Sequence, residues 1–245
     1  LFWPNRVLFF KCAVLLFLIW PILSICIGWA TKEFGIAEGL FLLFVLSGGW
    51  MVMHWIKKSH ADTSLGFLLL FINLLFVSLS LLMLHGFGIY TADYFGEHYT
   101  DENNVGNFAR AVLILLIVVP FVTSRIVLFV KPVVAFINQF RSYISNISIF
   151  VILFYLFGLQ SSQYLFDLYD FEPELIYIAL GGVLAFYAVT FVASKLIFDL
   201  DSEHERAAFW HSVTRYITLA LVISTFTTNT FGVSMLLPIM MAYVI

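Results

Sequence analysis

Apolar residues run along this chain in blocks of roughly 20, parted by short clusters of charge, proline and glycine. A hydrocarbon core about 30 Å thick is crossed by about 20 helical residues at about 1.5 Å each. The blocks predict seven membrane-crossing helices, at roughly 7–30, 36–55, 64–90, 108–130, 134–160, 174–198 and 214–231. The stretch from Gly232 to Ile245 is also apolar and reads as part of an eighth. Arg6 and Lys11 precede the uninterrupted apolar stretch of the first block in the manner of a signal peptide, but the block is too long and it lacks a small-residue cleavage site. It is expected to be a retained helix.

Charge sharpens this topology. Arg6, Lys11, Lys57, Lys58, Arg125, Lys131, Arg141, Lys195, Arg206 and Arg215 fall on one set of alternate loops, and only Lys32 and Arg110 of the 12 cations fall on the other. The acids lean the opposite way: Asp93, Glu97, Asp101 and Glu102 between the third and fourth blocks, and Asp167, Asp170, Glu172 and Glu174 between the fifth and sixth. Positive charge is retained on the cytoplasmic face, so the Leu1 end is expected inside and the acidic loops outside. The plasma membrane of a bacterium is the expected location.

Composition removes whole classes of function. Hydrophobic residues make up 62% of the chain and charged residues 11%, against about 25% charged in soluble domains. Mean hydropathy is +1.01. The expected partner is the lipid bilayer. A net charge of −3 without a basic stripe excludes a nucleic-acid partner. Cys12 and Cys26 share the first block, which leaves no disulfide framework and no CxxC metal site. There is no HExxH and no Gly-x-Ser-x-Gly, so neither an enzyme nor a cofactor is expected. Glu203-His204-Glu205 reads as a solvated loop.

The informative residues are the polar and glycine positions inside the apolar blocks. Ser47-Gly48-Gly49 lies near the middle of the second block, where each glycine weakens a helix by about 1 kcal/mol relative to alanine. Ser224-Thr225-Phe226-Thr227-Thr228-Asn229-Thr230, followed by Gly232, lies in the seventh. One reading has Gly48, Gly49, Gly181 and Gly182 permitting close helix packing while the hydroxyls bond back to their own helix. The other has a break in each half of the chain, the sequence pointer to a transporter site at the midplane. An asparagine among five hydroxyls favours the second for the threonine-rich stretch. Asn73, alone in the third block, reads more readily as interhelical glue than as a ligand contact. Pro21, Pro120 and Pro238 mark kinks.

Ser47-Gly48-Gly49, followed after nine residues by Ser59-His60-Ala61-Asp62-Thr63-Ser64-Leu65, resembles the bile acid:sodium symporter family. That family has Pro-Gly-Gly, a Ser-Asn pair, Ala-Arg-Gly-Asp and Leu-Ser at the same spacing. Trp3-Pro4-Asn5-Arg6, Pro120 and the crossover-like Thr228-Asn229 fall into order around it. The resemblance implies an all-α polytopic membrane protein with inverted repeats and two broken helices, of the sodium symporter and NhaA type. It implies a first core repeat over 1–90, an acidic extracellular loop over 91–107, a panel-like helix pair over 108–160 and a second, incomplete core repeat over 161–245. It also implies that the sodium sites are degraded. The family's Ser-Asn pair falls on Val52 and Met53, its next Ser and Thr on Gly66 and Leu74, its crossover Glu on Ser224 and its Gln on Thr228; only Asn229 matches. Ser224 and Asn229 are what remains of an ion site.

Two functions follow as expectations. The first is a secondary transporter moving a small organic or anionic solute past Asn229, Thr228, Thr227, Thr225, Asn73, Ser47, Gly48 and Gly49. No acid is counted in the middle of any block, so a carboxylate proton relay is not expected. The second is a membrane sensor, anchor or complex subunit on the same fold, with a protein partner in place of a solute.

Overall fold

A computed structural model describes residues 5–49, 51–96, 118–137 and 173–244, with scattered helical positions between 111 and 151; of Thr225, Thr228 and Asn229 only the backbone is described. The described chain is all-α, with one isolated β-bridge. It divides into two compact units, Leu1–Ala109 with Pro173–Ile245, and Arg110–Glu172.

In the first unit α1 (Arg6–Thr31) is a continuous 26-residue helix containing a π-helical turn, Leu15–Ile19. The widened turn sits just ahead of Pro21, whose ring clashes with the carbonyl one turn back and whose nitrogen cannot donate. Lys32, at φ 58°, ends the helix in the left-handed region. Next come the half-helices α2 (Phe34–Val45) and α3 (Met51–Lys58), then α4 (Thr63–Leu75) and α5 (Val77–Phe95). The Asp62 carboxylate caps α4 by accepting from the N–H groups of Ser64 and Leu65. After α6 (Val119–Leu128) of the second unit, the chain returns to the first. A long helix, α7 (Pro173–Ile197), precedes two shorter ones, α8 (Glu203–Val213) and α9 (Ile217–Phe231). A 3-10 turn, Val233–Met235, then leads into α10 (Leu236–Val244).

The core is built on α2. Every residue of it from Gly35 to Val45 is buried, among them Glu38, and α1, α5, α7, α9 and α10 pack around it. Gly39 makes this possible on one side, since a Cβ there would stand 2.3 Å from the Met235 carbonyl oxygen. Elsewhere the contact is aromatic: Phe44 meets Phe186 edge-on at 4.0 Å and Phe41 stacks on Phe87 at 4.3 Å. Gly182 approaches the Leu40 side chain, whereas a Cβ on Gly181 would meet nothing, so only one of that glycine pair serves close packing.

Arg6–Thr31 and Pro173–Ile197 are each long and apolar enough to cross a membrane, and Thr63–Leu75 with Leu79–Phe95 makes a third if a pair bent by 51° is one span. The count falls short of seven for a physical reason. Blocks 36–55 and 214–231 do not form single long helices: the first is two half-helices, and the second begins at a break that separates α8 from α9. Most of 134–160 lies outside the described residues, and so do 108–110, 112–113 and 115–117 in the fourth block.

The second unit contains α6 (Val119–Leu128), which starts next to Pro120, and a helical stretch over 131–137. Ile126 and Phe129 are 61% and 88% exposed within it.

The reading of Glu203-His204-Glu205 as a solvated loop is corrected in one respect: Glu203 and His204 are exposed, but the three residues are the first turn of α8. The Ser202 hydroxyl caps them by accepting from Glu205 N–H at 3.5 Å. Glu205 pairs with Lys11 at 3.1 Å and accepts from Asp199 N–H, while Asp62 N–H donates to the Glu203 carbonyl. Helix propensity and tertiary partners override the local density of charge here.

Candidate functional site

The site begins with two interruptions that complete each other. Leu46 to Gly49 leave the helical path, with Gly48 at φ 82°, and Thr214 to Tyr216 do the same between α8 and α9. The two stretches pass antiparallel, bridged at Ser47 and Arg215. Gly48 N–H donates to the Thr214 carbonyl at 2.9 Å, and Tyr216 N–H donates to the Leu46 carbonyl at 2.9 Å. Breaking one helix in an apolar interior strands backbone donors and acceptors at several kcal/mol each. Breaking two at one point lets each strand satisfy the other.

The second break is therefore not where the sequence reading put it. The threonine-rich stretch is continuous helix in α9, which runs unbroken to Phe231 and stops at Gly232, φ 82°. Ser224 Oγ donates to the Leu221 carbonyl, and Thr227 Oγ1 to the Ile223 and Ser224 carbonyls. Those described hydroxyls bond back to their own helix, as the simpler reading had it. The side chains of Thr225, Thr228 and Asn229 lie outside the described residues.

Ser47, Gly48, Gly49 and Asn73 do come together. The Asn73 amide donates to the Ser47 carbonyl, tying α4 to the first break. A Cβ on Gly49 would stand 2.8 Å from the Arg215 carbonyl oxygen, and one on Gly48 would stand 2.6 Å from His211 Nε2. Asn73→Leu should cost about 1 kcal/mol, the usual worth of an interhelical hydrogen bond in a bundle of this kind. Thermal unfolding of the purified variant checks this; a loss above about 3 kcal/mol would mean that Asn73 organises the crossing rather than fastening it.

Beside the crossing is a cavity of about 100 Å³. Its apolar wall includes Leu16 and Phe17 of the π-helical turn together with Trp20, and its polar lining includes Ser47, Asn73 and His211. His211 is 4% exposed, and its Nε2 has no partner among the described residues. Opening a helix by one residue moves side chains off the regular helical register, so the π turn is what lets Leu16, Phe17 and Trp20 face a common space.

Sequence reading missed Arg215, counting it as a loop cation. It is 5% exposed. Its guanidinium carbon lies 4.9 Å from the Phe186 ring centre and 5.6 Å from that of Trp20, and Nη1 donates to the Thr214 carbonyl at 3.3 Å. Nε and Nη2 are buried without a partner among the described residues. Glu38 was missed too: it stands near the start of its block rather than in the middle, yet it is buried. It is 0% exposed in α2, one carboxyl oxygen shares a hydrogen bond with the Thr91 hydroxyl, and the other has no partner among the described residues. For Glu38 a signal is present, in its unbroken apolar context; for Arg215 the sequence offers only the helix start at Ser202-x-x-Glu205, which does not place its break.

No protein-family model matches the sequence, and no curated protein matches it either.

Proposed function

We propose that this chain is a membrane-embedded, transporter-like protein that passes a small organic anion through the point where its two interrupted helices cross. The single observation that carries the reading is the antiparallel crossing at Ser47 and Arg215. α2 with α3, and α8 with α9, have the lengths of two halves of a span: about 18 and 12 Å, and about 16 and 22 Å, at about 1.5 Å per residue. Counting each pair as one crossing supports a bundle whose two halves are inverted repeats, with the Leu1 end in the cytoplasm of a bacterium. The resemblance to bile acid:sodium symporters agrees with this arrangement, and so does the loss of its sodium ligands. A buried guanidinium at the crossing supplies a fixed positive charge where a bound cation would otherwise be needed.

A second reading, a sensor, anchor or complex subunit that does not transport, is favoured by one observation: the cavity at the crossing is only about 100 Å³.

Access to the crossing separates the two. In a chain carrying Cys12→Ser and Cys26→Ser, a Ser47→Cys thiol should react with a membrane-impermeant maleimide from either face of oriented vesicles, because a transporter opens its site to both sides in turn. Reaction from one face alone, or from neither, would leave the non-transporting reading.

A further inference from the structure

We infer that the Arg215 guanidinium is a binding fork for the carboxylate of a small monocarboxylate with an apolar body. The inference rests on the transport reading, because the fork has to be reached from outside. Nη1 is committed to the Thr214 carbonyl. The two nitrogens left over, Nε and Nη2, are not a random pair. They form the side edge of the guanidinium plane, whose parallel N–H groups match the two oxygens of a carboxylate.

The surroundings select among oxyanions. Trp20 and Phe186 flank the guanidinium, the Tyr187 phenol and the His211 imidazole are its titratable neighbours, and among the described residues no carboxylate forms an ion pair with it. One positive charge in an apolar enclosure neutralises one negative charge, so a phosphate dianion would bring an uncompensated charge into the bilayer interior. Arg215 does not itself line the cavity beside the crossing, but two of its neighbours do. Trp20 belongs both to the flank of Arg215 and to the wall of the cavity, and Ser47, the bridge partner of Arg215, lines that cavity. A structural role for Arg215 alone would be met by Nη1 and the two rings, leaving no reason for a buried fork.

Carboxylic acids reach such a site from water or, as fatty acids, from the bilayer. Thermal unfolding of the full chain in detergent, with folding monitored by circular dichroism, tests both sources with benzoate, butyrate and palmitate. Inorganic phosphate and the neutral isostere benzamide serve as controls. Benzoate or butyrate should stabilise the wild-type chain, Arg215→Lys should bind at least tenfold more weakly because it keeps the charge and loses the fork, and Arg215→Met should not respond. A response to palmitate alone would keep the fork and assign its ligand to the membrane. Equal shifts with benzamide, a preference for phosphate, or an undiminished response in Arg215→Met would overturn the fork while leaving transport of another solute standing. No shift with any of the five in a folded wild-type chain would overturn the fork and remove the anion from the transport reading, which the thiol-access experiment then judges alone.

Discussion

Gly48→Ala should cost about 3 kcal/mol and lower the unfolding midpoint by roughly 6–12 °C. Two independent penalties add. Gly48 holds φ 82°, a conformation that costs a residue with a Cβ about 1–2 kcal/mol. The new methyl would also stand 2.6 Å from His211 Nε2 and 2.8 Å from its Cδ2, and overpacking of this kind typically costs about 1–3 kcal/mol. Neither side yields easily. His211 is 4% exposed and enclosed by its neighbours, and the Gly48 N–H is held by the Thr214 carbonyl. The control is Gly181→Ala in the middle of α7, where a Cβ meets nothing within 4 Å and helix propensity alone predicts a gain of up to about 1 kcal/mol. Tryptophan fluorescence on heating reads both variants. If they melt together, the crossing is not the rigid element described above.

That glycine was visible in the sequence; the arginine opposite it was not. Ser47-Gly48-Gly49 stands out because glycine and serine inside an apolar block have few uses, and the structure puts a break there. The threonine-rich stretch misled because side-chain polarity is a weak proxy for backbone interruption. A hydroxyl can satisfy itself against the carbonyl three or four residues back without disturbing its helix, as Ser224 and Thr227 do. The true second break, Thr214 to Tyr216, carries no glycine or proline. What makes it extended is its neighbour: the Leu46 and Thr214 carbonyls and the Gly48 and Tyr216 N–H groups are each other's partners. This is tertiary information that no window of local sequence contains. Once α8 was read as a loop, Arg215 was assigned to its edge. A cation at that position also fits the charge asymmetry from which the topology is expected. Glu38 escaped for a similar reason, lying two residues inside the expected start of its block while the helix begins at Phe34 and is buried from its second residue onward.

Arg215→Met should leave the protein at least as stable as the wild type, by about 1 kcal/mol or a rise of about 2–4 °C in unfolding midpoint, while abolishing its response to carboxylates. A buried ion costs several kcal/mol in lost hydration. Against this Arg215 gains one charge-assisted hydrogen bond, about 1.5–3 kcal/mol, and two aromatic faces at up to about 2 kcal/mol each when desolvated. The gains roughly match the cost, so the side chain is not retained for stability, and a flexible thioether of similar length fills its space without the desolvation. The backbone of residue 215 keeps its place in the crossing, because the bridge to Ser47 is made by main-chain groups. A structural keystone behaves oppositely. If the cation were there to offset the carbonyl ends of α2 and α8, which both finish at the crossing, its removal would expose two negative helix termini to each other and lower the midpoint. Melting wild type and Arg215→Met side by side, without ligand and then with benzoate, therefore separates a charge kept for a solute from a charge kept for the fold. A Met variant that loses more than about 2 kcal/mol would decide for the fold.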